Sequence, residues 1–159
     1  MKSIFILGLL LTPAVSFAQQ APALAPSPAA PAVQPQLPPP PKDANAVIVQ
    51  RRDSGLVALT NLLQGLVNRG YTIKDIDREK LTVRTEPRAV SEVGAVIVDG
   101  AVRGRQFVVT GAFSPETTSR RATPIVYPGT SRNHRAVHAW EELVKTAGML
   151  GRNLTYGTR

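Results

Sequence analysis

Ala95-Val-Ile-Val-Asp-Gly-Ala-Val102, Arg103-Gly104-Arg105 and Gln106-Phe-Val-Val-Thr-Gly-Ala-Phe113 together decide the fold. Two apolar, β-branched runs of 8 residues flank a short glycine-containing turn, which is the pattern of a hairpin. Asp99-Gly100 is itself a strong two-residue turn signal and sets up a competing register. That register would leave one arm only a few residues to pair, so the turn at Arg103–Arg105 is favoured. Phe107, Val109 and Phe113 then face the core. Strands joined by a hairpin are antiparallel, so the sheet built on them is expected to be antiparallel.

Working toward the N terminus, Leu81, Val83 and Thr85 alternate with Thr82, Arg84 and Glu86, a half-buried strand that ends at Pro87. Asp77–Lys80 reads as a charged turn, and Tyr71–Ile76 as an extended run with Tyr71 and Ile73 on one face. Before it, Leu56, Leu59, Leu62, Leu63, Leu66 and Val67 carry the stripe of an amphipathic helix, capped by Asp53 or Ser54 and stopped at Gly70. Burial of those six side chains would contribute on the order of 10 kcal/mol before ordering entropy. Ala46–Val49 is a candidate first strand. Toward the C terminus, residues 114–133 are a long connection broken by Pro115, Pro124, Pro128 and Gly129, within which Ile125-Val126-Tyr127 suggests a short edge strand. A second helix is predicted from about His134 to Leu150, with Val137, Trp140, Leu143, Val144, Ala147 and Leu150 on its apolar stripe. Leu154–Tyr156 would close a last edge strand. The expected fold is α+β in the order β-α-β-β-β-β-α: an antiparallel sheet of four or five strands with two helices on one face.

The segment Leu59–Thr85 places a helix, then Arg69-Gly70-Tyr71-Thr72-Ile73, then Asp77 and Leu81-Thr82-Val83. This succession resembles half of the helix-grip domains of BamC-type accessory lipoproteins of outer-membrane assembly. The resemblance covers about 27 residues, is one of element types, and departs in lacking the lipid-anchor cysteine. It implies a helix packed across a curved antiparallel sheet and a protein-binding, non-enzymatic role in the cell envelope.

The chain has 159 residues and no cysteine. Residues 1–18 read as a secretory signal peptide: Lys2, the apolar run Ile4–Leu11, the breaker Pro13, and small Ser16 and Ala18 before a cleavage site. Residues 19–42 form a Pro/Ala-rich linker, with 9 Pro in 21–42, that favours polyproline II. Residues 43–159 remain as one domain, too small for a TIM barrel, a two-domain dehydrogenase or a kinase. Absence of cysteine excludes a disulfide scaffold, a thiol nucleophile and a cysteine zinc site. The expected location is outside the cytoplasm of a bacterium, periplasmic or secreted.

Charge is uneven along the domain. Residues 43–102 hold 8 basic and 8 acidic residues, whereas residues 103–159 hold 9 basic and 3 acidic. Arg103, Arg105, Arg120, Arg121, Arg132 and Arg135 all precede or begin the second helix, and arginine suits bidentate contact with phosphate or carboxylate. They are the candidate binding residues for an envelope protein or an anionic envelope polymer or lipid. Export and the shortage of aromatic side chains near them disfavour nucleic acid. One metal constellation stands out: His134, His138 and Glu141, at i, i+4 and i+7 on the second helix, would suit a metal-assisted hydrolase. Arg135 follows the first histidine where a zincin carries glutamate, and the apolar stripe points the other way. No Gly-rich phosphate loop, no G-x-S-x-G and no cofactor motif is present. The best reading is therefore a non-enzymatic binding module. The hydrolase is the alternative, and a structural or adhesion module displayed on the proline spacer is a third reading.

Overall fold

A computed structural model describes residues 39–116 and 121–159. The expected signal peptide, the linker up to residue 38, and Arg120 lie outside the described residues. The elements, in chain order, are β1 (Ala46–Gln50), α1 (Gly55–Asn68), β2 (Ile73–Asp77), β3 (Thr82–Thr85) and β4 (Arg88–Val90). They continue with β5 (Gly94–Arg103), β6 (Gln106–Ser114), β7 (Thr123–Pro124), α2 (His134–Leu150) and β8 (Leu154–Gly157). The class is α+β with an antiparallel sheet and two helices, as expected. The sheet has 8 strands among the described residues rather than four or five.

The β5–β6 hairpin is the centre of that sheet, which runs β2-β3-β5-β6-β1-β8. Its register pairs Arg103 with Gln106 and continues to Ala95 opposite Ser114. Gly104 has φ of 58°, the left-handed conformation a two-residue loop requires at its first position. Asp99-Gly100 is therefore not a turn. Gly100 lies in mid-strand, where a Cβ would stand 2.9 Å from Leu62 and 3.0 Å from Val83. The glycine admits α1 close to the sheet instead of reversing the chain.

The three strands beyond the core five are short or peripheral. β4 resumes pairing with β5 immediately after Pro87, on the same side of β5 that β3 occupies nearer the hairpin turn. The proline interrupts the ladder without ending the edge. β7 falls on Thr123–Pro124, just before the expected Ile125–Tyr127, while Ile125 itself is buried and donates its N–H to Gly111 O at 2.9 Å. β8 pairs with β1 and forms one edge of the sheet.

A single large core contains side chains of α1, α2 and the sheet: Leu59, Leu62 and Leu66 with Trp140, Leu143 and Leu150 over Val47, Val49, Val98, Phe107 and Val109. On α1 the stripe is narrower than expected, since Leu56 and Val67 are 59% and 51% exposed. At 100° per residue they lie about 120° and 140° from Leu62 around the helix, beyond the buried face. Ser54 occupies the α1 cap position without a side-chain hydrogen bond. Asp53 instead accepts from Asn61 at 2.6 Å and Arg51 at 3.1 Å. α2 begins with a working cap, the Asn133 side chain accepting from Ala136 N. Trp140 on α2 packs against the rings of both Tyr127 and Tyr156 in tilted geometry, with centroids at 5.5 and 5.8 Å and interplanar angles of 58° and 43°.

Candidate functional site

Antiparallel pairing brings several chain segments to one end of the sheet. β1 exits there at Gln50, β5 ends and β6 begins there, and β8 enters there opposite Val49. The β2–β3 turn arrives at the same end, because Thr82 pairs with Ala101. These segments carry Arg51, Arg52, Arg78, Lys80, Arg103, Arg105 and Arg152, against only Asp53, Asp77 and Glu79.

Arg51 ties this end together. Its backbone N–H donates to Arg105 O at 2.8 Å, its Nη1 donates to Leu150 O at 2.6 Å, and its guanidinium lies 5.1 Å from the Phe107 ring centroid. It thereby satisfies a carbonyl at the α2 C terminus and fixes the hairpin turn beside the β1 exit. Arg51 is neutralised by Asp53 at 3.1 Å, and Lys80 by Asp77 at 3.1 Å. Both carboxyls are held below their ordinary range, Asp53 chiefly by the Asn61 amide and Asp77 chiefly by the Lys80 backbone N–H. Arg52, Arg78, Arg103, Arg105 and Arg152 are exposed and make no ion pair among the described residues. A cleft of about 480 Å³ opens between the β1 exit and the β8 entry, with Arg51, Arg52 and Arg152 on its walls. The positive end of the α1 dipole, with no acidic residue in its first turn, points to the same end.

The arginines singled out from sequence separate into two groups. Arg103 and Arg105 belong to this end. Arg121, Arg132 and Arg135 are exposed at the other, where β7 pairs with the far end of β6 and α2 begins. The 17 residues of α2 span about 25 Å between the two. Arg51, Arg52 and Arg78 are masked in the sequence by the net-zero charge of residues 43–102, and Arg152 by its place after the second helix, apart from the arginines that precede or begin it. The adjacent Arg51-Arg52 at a strand exit was the available signal.

His134, His138 and Glu141 share α2 but do not converge. His138 Nε2 faces Glu92 Oε2 at 3.1 Å, and its Nδ1 faces Glu141 Oε2 at 3.4 Å. Both ring nitrogens are thus directed at carboxylates from different elements, while His134 is exposed a turn away. Among the described residues, no three His, Asp or Glu side chains gather as a metal-binding group.

A second polar cluster lies under the helices. Glu142 is buried and accepts from Arg69 Nη2 at 2.7 Å, from Arg88, from Tyr71 Oη at 3.2 Å and from Thr146 Oγ1 at 3.4 Å. Arg88 also stacks 4.4 Å over the Tyr71 ring. Burial pushes the Tyr71 phenol up. Burial alone would lower Arg88, and the Tyr71 and Glu142 oxygens overcome it and raise it. The Nε atoms of Arg69 and Arg88 are buried with no partner among the described residues. The cluster joins the α1 C terminus, β4 and α2 through the Glu142 carboxylate, and so ties the two helices to the sheet.

Comparison with models of known protein families and with curated proteins returns no match.

Proposed function

We propose that the chain is an exported, non-enzymatic module of the bacterial cell envelope that binds an anionic envelope component through the arginine end of its sheet. One observation carries this reading: five exposed arginines from four separate segments meet at one end, and the acids there that form ion pairs are engaged with Arg51 and Lys80. Arginine presents a planar fork suited to phosphate and carboxylate oxygens. Export rests on the leader at 1–18, and the periplasm or the extracellular medium is the proposed location. The resemblance to helix-grip domains agrees with a binding role, with α1 and α2 laid over one sheet face.

Binding to a soluble polyanion, heparin, tests the site. Affinity is expected to fall steeply with salt. The pair Arg103→Glu with Arg105→Glu weakens it at least tenfold, and Arg132→Glu with Arg135→Glu weakens it less than twofold. Equal losses from both pairs, or binding insensitive to salt, would place the contact elsewhere and overturn the reading.

A further inference from the structure

We propose that the arginine end is a peripheral docking surface for an anionic lipid bilayer, with the first turn of α1 seated in the headgroup layer. This rests on the reading above and narrows its partner to a membrane surface. Leu56 and Val57, in that first turn, are 59% and 65% exposed. Met149 is 56% exposed, one residue before the Leu150 carbonyl that Arg51 holds. Ile76 is 40% exposed across a groove from Leu56, with Arg78 on the groove wall. Of the six large apolar side chains left exposed among the described residues, only Val67 and Val126 lie elsewhere.

A soluble polyanion rewards positive charge and gains nothing from leucine and valine held out in water. A bilayer rewards both: headgroup phosphates meet the arginines, and apolar side chains enter the acyl boundary. Arg52, Arg78, Arg105 and Arg152 come from the segments around the protruding turn, the arrangement a charged interface with a hydrocarbon layer beneath it would select. No helix among the described residues is long and apolar enough to cross a membrane, so the contact proposed is superficial.

The test uses the chain purified from expressing cells, vesicles of phosphatidylcholine with about one third phosphatidylglycerol, vesicles of phosphatidylcholine alone, and heparin. Leu56→Ser with Val57→Ser is expected to weaken binding to the anionic vesicles about tenfold and to leave heparin binding within twofold. Arg52→Glu with Arg105→Glu weakens both. Because the chain has no cysteine, Val57→Cys labelled with an environment-sensitive dye reports the turn directly. Its emission should rise with anionic vesicles and stay flat with heparin, while the same label at Val67→Cys, on the last turn of α1, stays flat with both. Anionic-vesicle binding that ignores the serine pair, or a Val57 label that does not respond, overturns the docking proposal. Heparin binding without vesicle binding overturns it too, in favour of a polymer or an acidic protein, and leaves the anion-binding reading standing. Binding to neither removes both.

Discussion

Replacing Glu142 with glutamine tests the reasoning about the buried cluster most directly. The substitution keeps the shape of the side chain and removes its charge. Glu142 is 6% exposed and takes hydrogen bonds from two guanidinium groups, a phenol and a hydroxyl. Glutamine offers one acceptor oxygen, and its NH₂ meets a guanidinium donor to donor. Breaking a buried ion pair by removing one partner costs about 3–5 kcal/mol, since the surviving charge is left without compensation. Arg69 and Arg88 retain side-chain exposures of 28% and 26% and regain some hydration, which favours the low end, about 3 kcal/mol. Against a total stability of about 5–15 kcal/mol, that is a large share. Urea unfolding followed by tryptophan fluorescence measures it, because Trp140 is the only tryptophan and packs on α2 against two tyrosine rings. With a slope of about 1.5 kcal/mol/M, the midpoint should fall by roughly 2 M. The melting temperature should fall by about 10–15 °C. The triple change Arg69→Met, Arg88→Met and Glu142→Leu, which removes every charge together, should cost far less than the single change. A Glu142→Gln midpoint within about 0.3 M of the parent would refute the view that this carboxylate holds the helices on the sheet.

Two further outcomes follow from the backbone and from the titrating groups. Gly94→Ala should prevent stable folding or cost at least about 3 kcal/mol, because Gly94 has φ of 106° and a Cβ would stand 2.3 Å from Ser114 O. Gly104→Ala, with φ of 58° and open space around the added Cβ, should cost only about 1 kcal/mol in the same urea assay. Stability should also fall at both pH extremes for identifiable reasons. Asp53 and Asp77 are lowered in the folded protein, so their contribution is present above the unfolded value near 3.8 and is lost as pH drops through the folded values. Tyr71 is raised, so the folded state holds its proton more tightly, and stability is lost as pH climbs past the unfolded value near 10. Melting temperature against pH checks both, and Tyr71→Phe should lessen the alkaline loss, leaving the part that burial of the raised Tyr156 phenol contributes, with the acid limb unchanged.

Periodicity made most of the elements readable one by one. The two runs flanking Arg103–Arg105 and the stripe from Trp140 to Leu150 needed only their own side chains, because whether a segment buries one face follows from spacing within that segment. β4 and β7 had no such signal, since 3 and 2 residues are too few to alternate and exist as strands only because β5 and β6 offer them partners. The same limit separates Glu141 from Glu142: adjacent acids on one helix, the first beside His138 at the surface and the second sealed against Arg69 and Arg88. Local sequence determined the helices, the hairpin and the excess of arginine. Which arginines became neighbours was decided by register and strand order alone. Electrostatic proximity depends on distance in space, and segments as far apart in the chain as Arg51 and Arg152 acquire it only once β1, β6 and β8 lie side by side.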